Sequence, residues 1–368
     1  MVNKKRLLQT FLELVKIDSP SGEEEAMVVE MTKRLKKLGA RVEKDSYGNV
    51  IAKFSSLQRE ENIEPIILNA HLDTVEPGRG IKPKVKGNKI NSDGTTILGA
   101  DDKAGLSIVL EALTCAVERK VSHPPFEVVL TLGEEAGLLG AMNLDYSKIT
   151  ARHGVSFDGH GPVSNVTISA PGYNRVDATI IGRSAHAGVE PEKGISAIAI
   201  AAHIISRLKT GRIDEETTAN IGLIEGGQAR NAVAERAQFK GEIRSRNVEK
   251  LEKHTHHFKE VFENVMANYD EAKLELEIKR EFDPYHFGED HPVIQKILAV
   301  FKKLKIKPSL EPTGGGSDVN IFNSHGIEIV DVGTGAYELH TTREYLNIKE
   351  FVEAAKFCYA LIVEVENE

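Results

Sequence analysis

Residues 65–74 have the sequence Pro-Ile-Ile-Leu-Asn-Ala-His-Leu-Asp-Thr, in which an apolar run ends at His71 and Asp73. An apolar run with turn-forming residues after it is typical of a buried strand. Side chains alternate along a strand, so His71 and Asp73 are expected to point the same way at its carboxyl end. Open α/β sheets bind their ligands at that edge. His71 can therefore bind a metal while Asp73 orients its imidazole, although a purely structural histidine also fits this stretch.

The composition is that of an ordinary globular protein, with 368 residues, 40% hydrophobic and 28% charged, and a formal net charge of −8. This length suits two domains. The acidic balance argues against a nucleic-acid partner. No run approaches the ~20 apolar residues that span a bilayer, and no secretory signal is apparent, so we expect no membrane partner and a cytoplasmic location. The two cysteines, Cys115 and Cys358, are expected to be free buried thiols.

We expect an α/β fold with a central mixed sheet and helices on both faces. In the first part, Ser21 and Glu24 form a predicted capping box that opens a helix. From about Thr167 the pattern changes to a strand, helix, strand, strand, helix order, which predicts an inserted α+β domain with its own core. We therefore expect a catalytic domain of residues 1–166 and 283–368 and an insertion of residues 167–282.

Acidic residues follow three predicted buried strands. Asp73 follows the first, Glu134 and Glu135 follow the second, and Asp158 follows the third. Asp101 lies at the start of a predicted helix, where a first-turn acid next to an N-cap is an equally good explanation. So many carboxylates at one edge of a sheet need positive charge to be tolerated. This recurrence, rather than any single residue, predicts a metal site.

The candidate ligand set combines histidines with carboxylates, which suits zinc and also cobalt or manganese. Its members lie at strand ends or in glycine-rich loops: His71, Asp73, Asp101, Glu134, Glu135, Asp158 and His340. Two metal ions that share a bridging carboxylate need two further ligands each. Two histidines and three carboxylates supply that number and leave one of the two adjacent glutamates free. The free glutamate can act as a general base on water whose pKa the ions lower.

Five short motifs occur in order along the chain: His71-Leu72-Asp73, Gly99-Ala100-Asp101-Asp102-Lys103-Ala104-Gly105, Gly133-Glu134-Glu135, Asp158-Gly159 and Leu339-His340. In this order they resemble the motifs of the M20 co-catalytic metallopeptidases, and most closely those of the peptidase T (tripeptidase) branch. The resemblance extends over essentially the whole chain. It implies a zinc-exopeptidase-like catalytic domain with an inserted lid or dimerisation domain. The implied activity is removal of the N-terminal residue from a short peptide.

The resemblance also implies a role for each residue of the ligand set. Asp101 is implied to bridge two divalent metal ions, with zinc expected and cobalt or manganese as alternatives. The remaining ligands complete the two metal sites in pairs: His71 with Asp158, and Glu135 with His340. Glu134 is implied as the general base and Asp73 as the residue that orients His71.

In the insertion, the resemblance implies three substrate-binding residues: His186, Asn231 and Arg244. The loop of residues 314–318 is also expected to lie near the substrate. His186 matches a residue that polarises the scissile carbonyl, sometimes from a partner subunit, although a loop histidine without a role is the alternative. Arg244 matches an arginine that binds a substrate carboxylate, a task that suits a bidentate guanidinium. The insertion is also expected to be able to support a homodimer.

Several other polar residues are expected to have no part in catalysis. His254, His256 and His257 lie on a charged predicted helix and are expected to be solvated. Lys103 is expected to be exposed, and Asp102 is expected to cap its helix.

Three other functions are compatible with the sequence. The first is an N-acyl-amino-acid deacylase or carboxypeptidase of the same family, the second an inactive metal-dependent binding protein, and the third an amidohydrolase with one metal ion. The presence of both Glu134 and Asp73 favours an active enzyme. Residues 160–163 and 226–231 do not preserve the whole tripeptidase pattern, so the substrate length stays open.

Overall fold

We analysed a computed structural model of the chain, which describes residues 2–56 and 64–363. The chain divides into two units. The first comprises the residues up to Ile168, Phe287–Pro312 and the residues from Ser317 onward. The second comprises Ser169–His286 and Thr313–Gly316.

The described residues form the following α-helices and β-strands. The helices are α1 Lys4–Leu14, α2 Glu25–Lys37, α3 Ala100–Arg119, α4 Leu139–Met142, α5 Ala197–Ile205, α6 Val248–Met266, α7 Pro292–Leu304, α8 Asp318–Ser324 and α9 Ile348–Val363. The strands are β1 Arg41–Lys44, β2 Val50–Phe54, β3 Ile66–His71, β4 Lys84–Lys86, β5 Lys89–Asn91, β6 Phe126–Thr131, β7 His153–Gly159, β8 Asn165–Ala170, β9 Gly172–Ile181, β10 Gly211–Arg212, β11 Thr217–Gly226, β12 Arg236–Ser245, β13 Lys273–Phe282, β14 Tyr285–His286, β15 Ser309–Pro312, β16 Glu328–Gly333, β17 Ala336–Tyr337 and β18 Tyr345–Asn347.

The first unit is built on a mixed sheet with the strand order β1-β2-β6-β3-β7-β16-β8. Strands β6, β3, β7 and β16 run parallel to one another. Strands β1, β2 and β8 pair antiparallel with their neighbours at the two sides of this group. Every residue of β3 and β6 is buried, as expected for parallel strands that are covered on both faces. The mixed sheet confirms the predicted α/β class and brings the carboxyl ends of four strands to one edge.

Helices flank this sheet. Helix α3 packs on β3 and β7 and against α1 and α9, while α2 packs on β1 and β2 and α8 packs on β16. Aromatic contacts such as Phe11 with Phe351 and Phe301 with Phe357 join these helices.

Cys115 and Cys358 are buried and free, as predicted. None of the described helices is both long and apolar enough to cross a membrane.

The second unit is an antiparallel sheet with the order β10-β11-β12-β9-β13. Helices α5 and α6 pack on it around a core that includes Val176, Phe239 and Phe262. This confirms the predicted α+β insertion with its own core. The sequence interpretation missed β13, although its residues Lys273–Phe282 alternate between polar and apolar side chains.

Two side chains that the sequence predicts to be solvated are buried. Lys103 is fully buried, and its ammonium donates a hydrogen bond to the carbonyl of Ile17 at 2.7 Å. The ring of His254 is also buried, with Nε2 3.0 Å from the carbonyl of Lys209. In both cases a backbone carbonyl offsets part of the cost of removing the polar group from water. Those carbonyls lie far away in sequence, so the local pattern could not indicate them.

Candidate metal centre

The predicted strand ends meet at one edge of the sheet in the first unit. Strand β3 ends at His71, and its parallel neighbours are β6, which leads to Glu134 and Glu135, and β7, which contains Asp158. The start of α3 brings Asp101 to the same edge, within 2.9 Å of the His71 ring. The structure therefore brings together side chains from four separate segments of the chain.

The two carboxylate oxygens of Asp101 face two different histidines. Oδ1 lies 2.9 Å from Nε2 of His71, which is also 3.4 Å from Oδ1 of Asp158. Oδ2 lies 3.1 Å from Nε2 of His340, which is also 2.9 Å from Oε1 of Glu135. Asp101 thus stands between two groups, each made of one imidazole nitrogen and carboxylate oxygens.

These atoms fit a pair of divalent metal ions. An ion bound at about 2.0–2.2 Å by nitrogen and oxygen ligands keeps those atoms roughly 3–3.5 Å apart, which is the spacing within each group. Oε1 of Glu135 is buried and makes no hydrogen bond with any described residue, even though Nε2 of His340 is 2.9 Å away. A buried carboxylate oxygen without a donor calls for a cation or a water. The donor types suit zinc, cobalt or manganese.

Asp73 connects three parts of the site. Its carboxylate lies 3.3 Å from Nδ1 of His71 and accepts hydrogen bonds from the backbone N–H of Glu134 at 2.9 Å and of Glu135 at 3.1 Å. The hydroxyl of Ser21 donates to the same carboxylate at 2.6 Å. Asp73 can therefore fix the His71 ring and the Glu134–Glu135 segment together.

Ser21 was expected to cap a helix, and this expectation is wrong. Helix α2 begins at Glu25, and the hydroxyl of Ser21 is bound to Asp73 instead. The carboxylate of Glu24 accepts hydrogen bonds from the N–H groups of Gly22 and Gly133. The sequence spacing matched a capping box, but these tertiary partners engage the two side chains.

Asp102 also lies close to this group of residues. Its carboxylate lies close enough to His71 and Asp158 for the three side chains to bind one metal ion. However, one of its oxygens accepts the N–H of His71 at 3.2 Å and the other accepts the N–H of Gly105 at 2.9 Å. Backbone donors thus occupy both oxygens. Asp101 and Asp102 have non-helical backbone angles, so the regular part of α3 begins after them, and the contact with Gly105 confirms that Asp102 caps it.

Burial concentrates negative charge here and shifts the titration of the acids. Burial, with the charge of Asp158 next in importance, raises the pKa of the Glu134 carboxyl well above its ordinary value. Burial also raises the pKa of Asp158 strongly. The carboxylates of Asp101 and Glu135 raise the pKa of His340 to about 10. A group of this kind is stabilised only by protons or by bound cations.

Three further buried acids surround the site. The loop that ends at Asp318 was expected to lie near the substrate, whereas sequence reasoning gave the other two acids no role. The three acids are Asp318, which accepts a hydrogen bond from Thr131, Asp331, which accepts one from Ser317 at 2.6 Å, and Glu344. Asp331 gave a usable signal, because it is an acid between Val330 and Val332 in the buried part of β16. Glu344 gave none, because its partners are backbone N–H groups distant in sequence.

The three predicted substrate-binding residues belong to the second unit. His186 and Asn231 lie on neighbouring loops, where the N–H of Ala187 donates to the Asn231 carbonyl at 3.0 Å. Both side chains are exposed. Arg244 lies on β12, stacks over the ring of Tyr173 and makes two hydrogen bonds of 3.1 Å to the carboxylate of Glu242.

Comparison with known proteins identifies related peptidases. The model of the peptidase dimerisation domain M20_dimer matches residues 168–270, and that of peptidase family M28 matches residues 49–187. Among solved structures, the chain is similar to aminopeptidase PepT from Bacillus cereus. The two share 40% sequence identity and superpose with a TM-score of 0.90, and the match covers 99% of both chains. A tripeptidase from Staphylococcus aureus is 36% identical, with a TM-score of 0.94 over 100% of both chains. The Bacillus subtilis protein YqjE is 41% identical over 99% of both chains.

Proposed function

The chain belongs to the M20 metallopeptidase family, in its peptidase T-like branch, and on this basis we propose that it is a di-metal exopeptidase acting on short peptides. The observation that carries the proposal is the position of Asp101, whose two oxygens face His71 and His340 separately. A carboxylate in this position suits a bridge between two ions. The cytoplasmic location stays a prediction from the sequence.

In this proposal, two groups of ligands hold the ions in the first unit, which acts as the catalytic domain. The two groups are His71, Asp101 and Asp158, and Asp101, Glu135 and His340. Zinc is the expected metal because of the nitrogen and carboxylate donors, and cobalt or manganese would fit the same donors. When bound, the ions supply Lewis-acid polarisation of the scissile carbonyl and lower the pKa of water at the site.

Glu134 is the proposed general base. Burial raises the pKa of its carboxyl, and burial is a common way in which enzymes adjust the pKa of a glutamate that transfers protons. It would accept a proton from the attacking water and then donate that proton to the amine of the leaving peptide. Asp73 would hold Glu134 in place through the backbone hydrogen bond of 2.9 Å.

Arg244 and His186 are the proposed substrate-binding residues of the second unit, together with Asn231. The guanidinium of Arg244 already holds the carboxylate of Glu242 through two hydrogen bonds. The same fork can bind the terminal carboxylate of a peptide. His186, which is exposed on its loop, would donate a hydrogen bond to the scissile carbonyl.

The comparison between free and blocked peptides tests the activity. A free tripeptide, its N-acetylated form and the corresponding N-acyl amino acid should be assayed with added zinc, cobalt or manganese. The proposal predicts cleavage of the free tripeptide and loss of activity when the amine is acetylated. Preferential cleavage of the N-acyl amino acid would instead identify a deacylase or carboxypeptidase. No turnover of any of these substrates would favour a metal-dependent binding protein.

The second unit is the proposed homodimer interface. Strand β10 covers β11 only near Thr218 and Ala219, and no other described strand pairs with the outer edge of β11. Leu223 and Ile224 on this edge are 61% and 58% exposed. An exposed apolar edge strand is a surface on which a second chain can add a strand.

Sedimentation measurements on an edge variant test this interface. Leu223→Lys should convert a dimer to a monomer. Val248→Lys, a change at an exposed apolar residue on α6, serves as the control and should leave the dimer intact. A wild-type chain that stays monomeric at all concentrations would contradict the proposal.

A further inference from the structure

Glu344 lies in the segment that follows His340 and is buried, with 1% of its surface exposed. One oxygen of its carboxylate accepts the N–H groups of Leu98 at 2.6 Å and Gly99 at 2.7 Å. The other oxygen accepts the N–H of Asp101 at 3.1 Å. A single buried carboxylate thus binds three backbone donors, two in the loop before α3 and one in the distorted first turn of that helix.

The Glu344 carboxylate fixes the shape of that loop. A charged acceptor with several backbone N–H donors forms strong, directional hydrogen bonds in a buried environment. Gly99 has a φ of +70°, a left-handed conformation that favours glycine, so the loop makes a tight bend before Asp101. Asp101, in the first turn of α3, has non-helical backbone angles, and its N–H is held by Glu344.

Glu344 also belongs to the turn that carries His340. Its own N–H donates to the carbonyl of Thr341 at 3.0 Å, which closes the turn after His340. His340 has a φ of +60°, an unfavourable left-handed conformation for a residue other than glycine. Such a conformation persists when the surrounding structure holds it.

We propose that Glu344 is a positioning residue that ties the Asp101 loop to the His340 turn and thereby sets the affinity of the site for its metal ions. Asp101 and Glu344 are 243 residues apart in the sequence. The two segments supply Asp101 and His340, which are two of the three proposed ligands of one ion. This inference rests on the proposed two-metal site. Glu344 itself binds no ion in this proposal and acts only through Asp101 and His340.

The test compares Glu344→Gln with a matched control in the full-length protein. The amide keeps the size of the side chain but accepts the three N–H groups less well and introduces a donor. Glu338→Gln is the control, because Glu338 precedes His340, is exposed and pairs with Arg343 instead of the loop. Each protein is stripped of metal and titrated with Co²⁺ in competition with a chelator, and peptide hydrolysis is measured over a range of Co²⁺ concentrations.

The inference predicts that wild type and Glu338→Gln bind two Co²⁺ per chain, whereas Glu344→Gln binds them about 10- to 100-fold more weakly, the range typical for residues that support metal ligands. Excess Co²⁺ should restore kcat of Glu344→Gln with little change in KM. Unchanged Co²⁺ affinity in Glu344→Gln would overturn the inference while leaving the two-metal site intact. A wild type that binds fewer than two ions would overturn the proposed function itself.

A second variant covers the case in which Glu344→Gln does not fold. Glu344→Asp retains the charge but draws the carboxylate back from the loop, and it should fold and bind Co²⁺ more weakly than wild type. Thermal unfolding of both variants is followed with and without excess Co²⁺. If neither variant folds even in excess Co²⁺, Glu344 supports the fold as a whole and the inference is wrong.

Discussion

The carboxylate of Asp73 accepts the backbone N–H of Glu134 at 2.9 Å, so the residue beside the His71 ring also fixes the segment that carries the proposed general base. The same carboxylate accepts the N–H of Glu135 and the hydroxyl of Ser21. The segment that follows β3 thereby fixes the position of the residues that follow β6. Orientation of one imidazole is only part of what Asp73 does.

Replacement of Asp73 should therefore impair both the metal ligands and the base. In Asp73→Asn, an amide faces three hydrogen-bond donors, and its own NH₂ group cannot accept from them. We expect kcat/KM to fall about 10- to 100-fold, in the range of changes to residues that support metal ligands. Steady-state kinetics with metal analysis will measure this loss.

Ser21→Ala is the matched control for Asp73→Asn, because it removes only one of the three hydrogen bonds to Asp73. A smaller decrease in kcat/KM is expected for it. Equal effects of the two changes would argue that the backbone hydrogen bonds of Asp73 do not contribute to catalysis.

Replacement of His340 should remove one of the two proposed metal ions and leave the other bound. His340 contacts only one oxygen of Asp101 together with Glu135, so His340→Ala should lower the metal content from about two ions per chain to about one. Elemental analysis after removal of free metal will count the ions. His160→Ala, which alters an exposed histidine two residues after Asp158, should retain both ions. Loss of both ions, or of neither, in His340→Ala would contradict the assignment.

Arg244 is expected to distinguish peptides by their carboxyl end. Charge-assisted hydrogen bonds contribute about 1.5–3 kcal/mol, so Arg244→Ala should raise KM for a free tripeptide roughly 10- to 100-fold. The effect on a C-terminally amidated tripeptide should be much smaller. Arg236→Ala, an exposed arginine on the same strand, controls for loss of charge. Equal effects on both peptides would show that Arg244 does not bind the carboxylate.

His254 should make stability depend on pH in the mildly acidic range. Burial lowers its pKa in the folded protein, while the unfolded chain takes up the proton near the ordinary value of about 6.5. The unfolded state therefore binds more protons just below that pH, so this contribution to stability is present above about pH 6.5 and declines as the pH falls toward the lowered pKa of the folded state.

Urea unfolding at several pH values will measure this dependence against His254→Gln. The wild-type free energy of unfolding should fall relative to the variant by up to about 1.4 kcal/mol per pH unit in that window. His256→Gln, at an exposed position on the same helix, controls for the loss of an imidazole. A difference between wild type and His254→Gln that is constant from pH 7 to 5 would contradict the prediction.

The sequence predicted the architecture well where the signal was local. The apolar run before His71, the glutamates after β6 and the aspartate at the end of β7 each stand in a short pattern whose period identifies a strand. Parallel pairing then brings the strand ends together without further information. The insertion was likewise recognisable because its own alternating and helical patterns begin near Thr167.

The contacts that the sequence could not indicate are those between a side chain and a distant backbone group. Lys103 is buried because its ammonium reaches the carbonyl of Ile17, and Glu344 is buried because it accepts N–H groups of a loop far earlier in the chain. Almost every residue carries a backbone carbonyl and N–H, so the residue type does not indicate which of these groups will become the partner. Ser21 shows the reverse case, since a local capping pattern was present but a tertiary partner, Asp73, engaged the hydroxyl.

The role of Glu134 gives the most direct test of the whole account. Glu134→Gln removes the base but leaves all five proposed metal ligands, so metal content and peptide hydrolysis should be measured on the same purified sample. The account predicts about two ions per chain together with a loss of turnover of roughly 100- to 10,000-fold. Turnover close to that of wild type with both ions bound would contradict it.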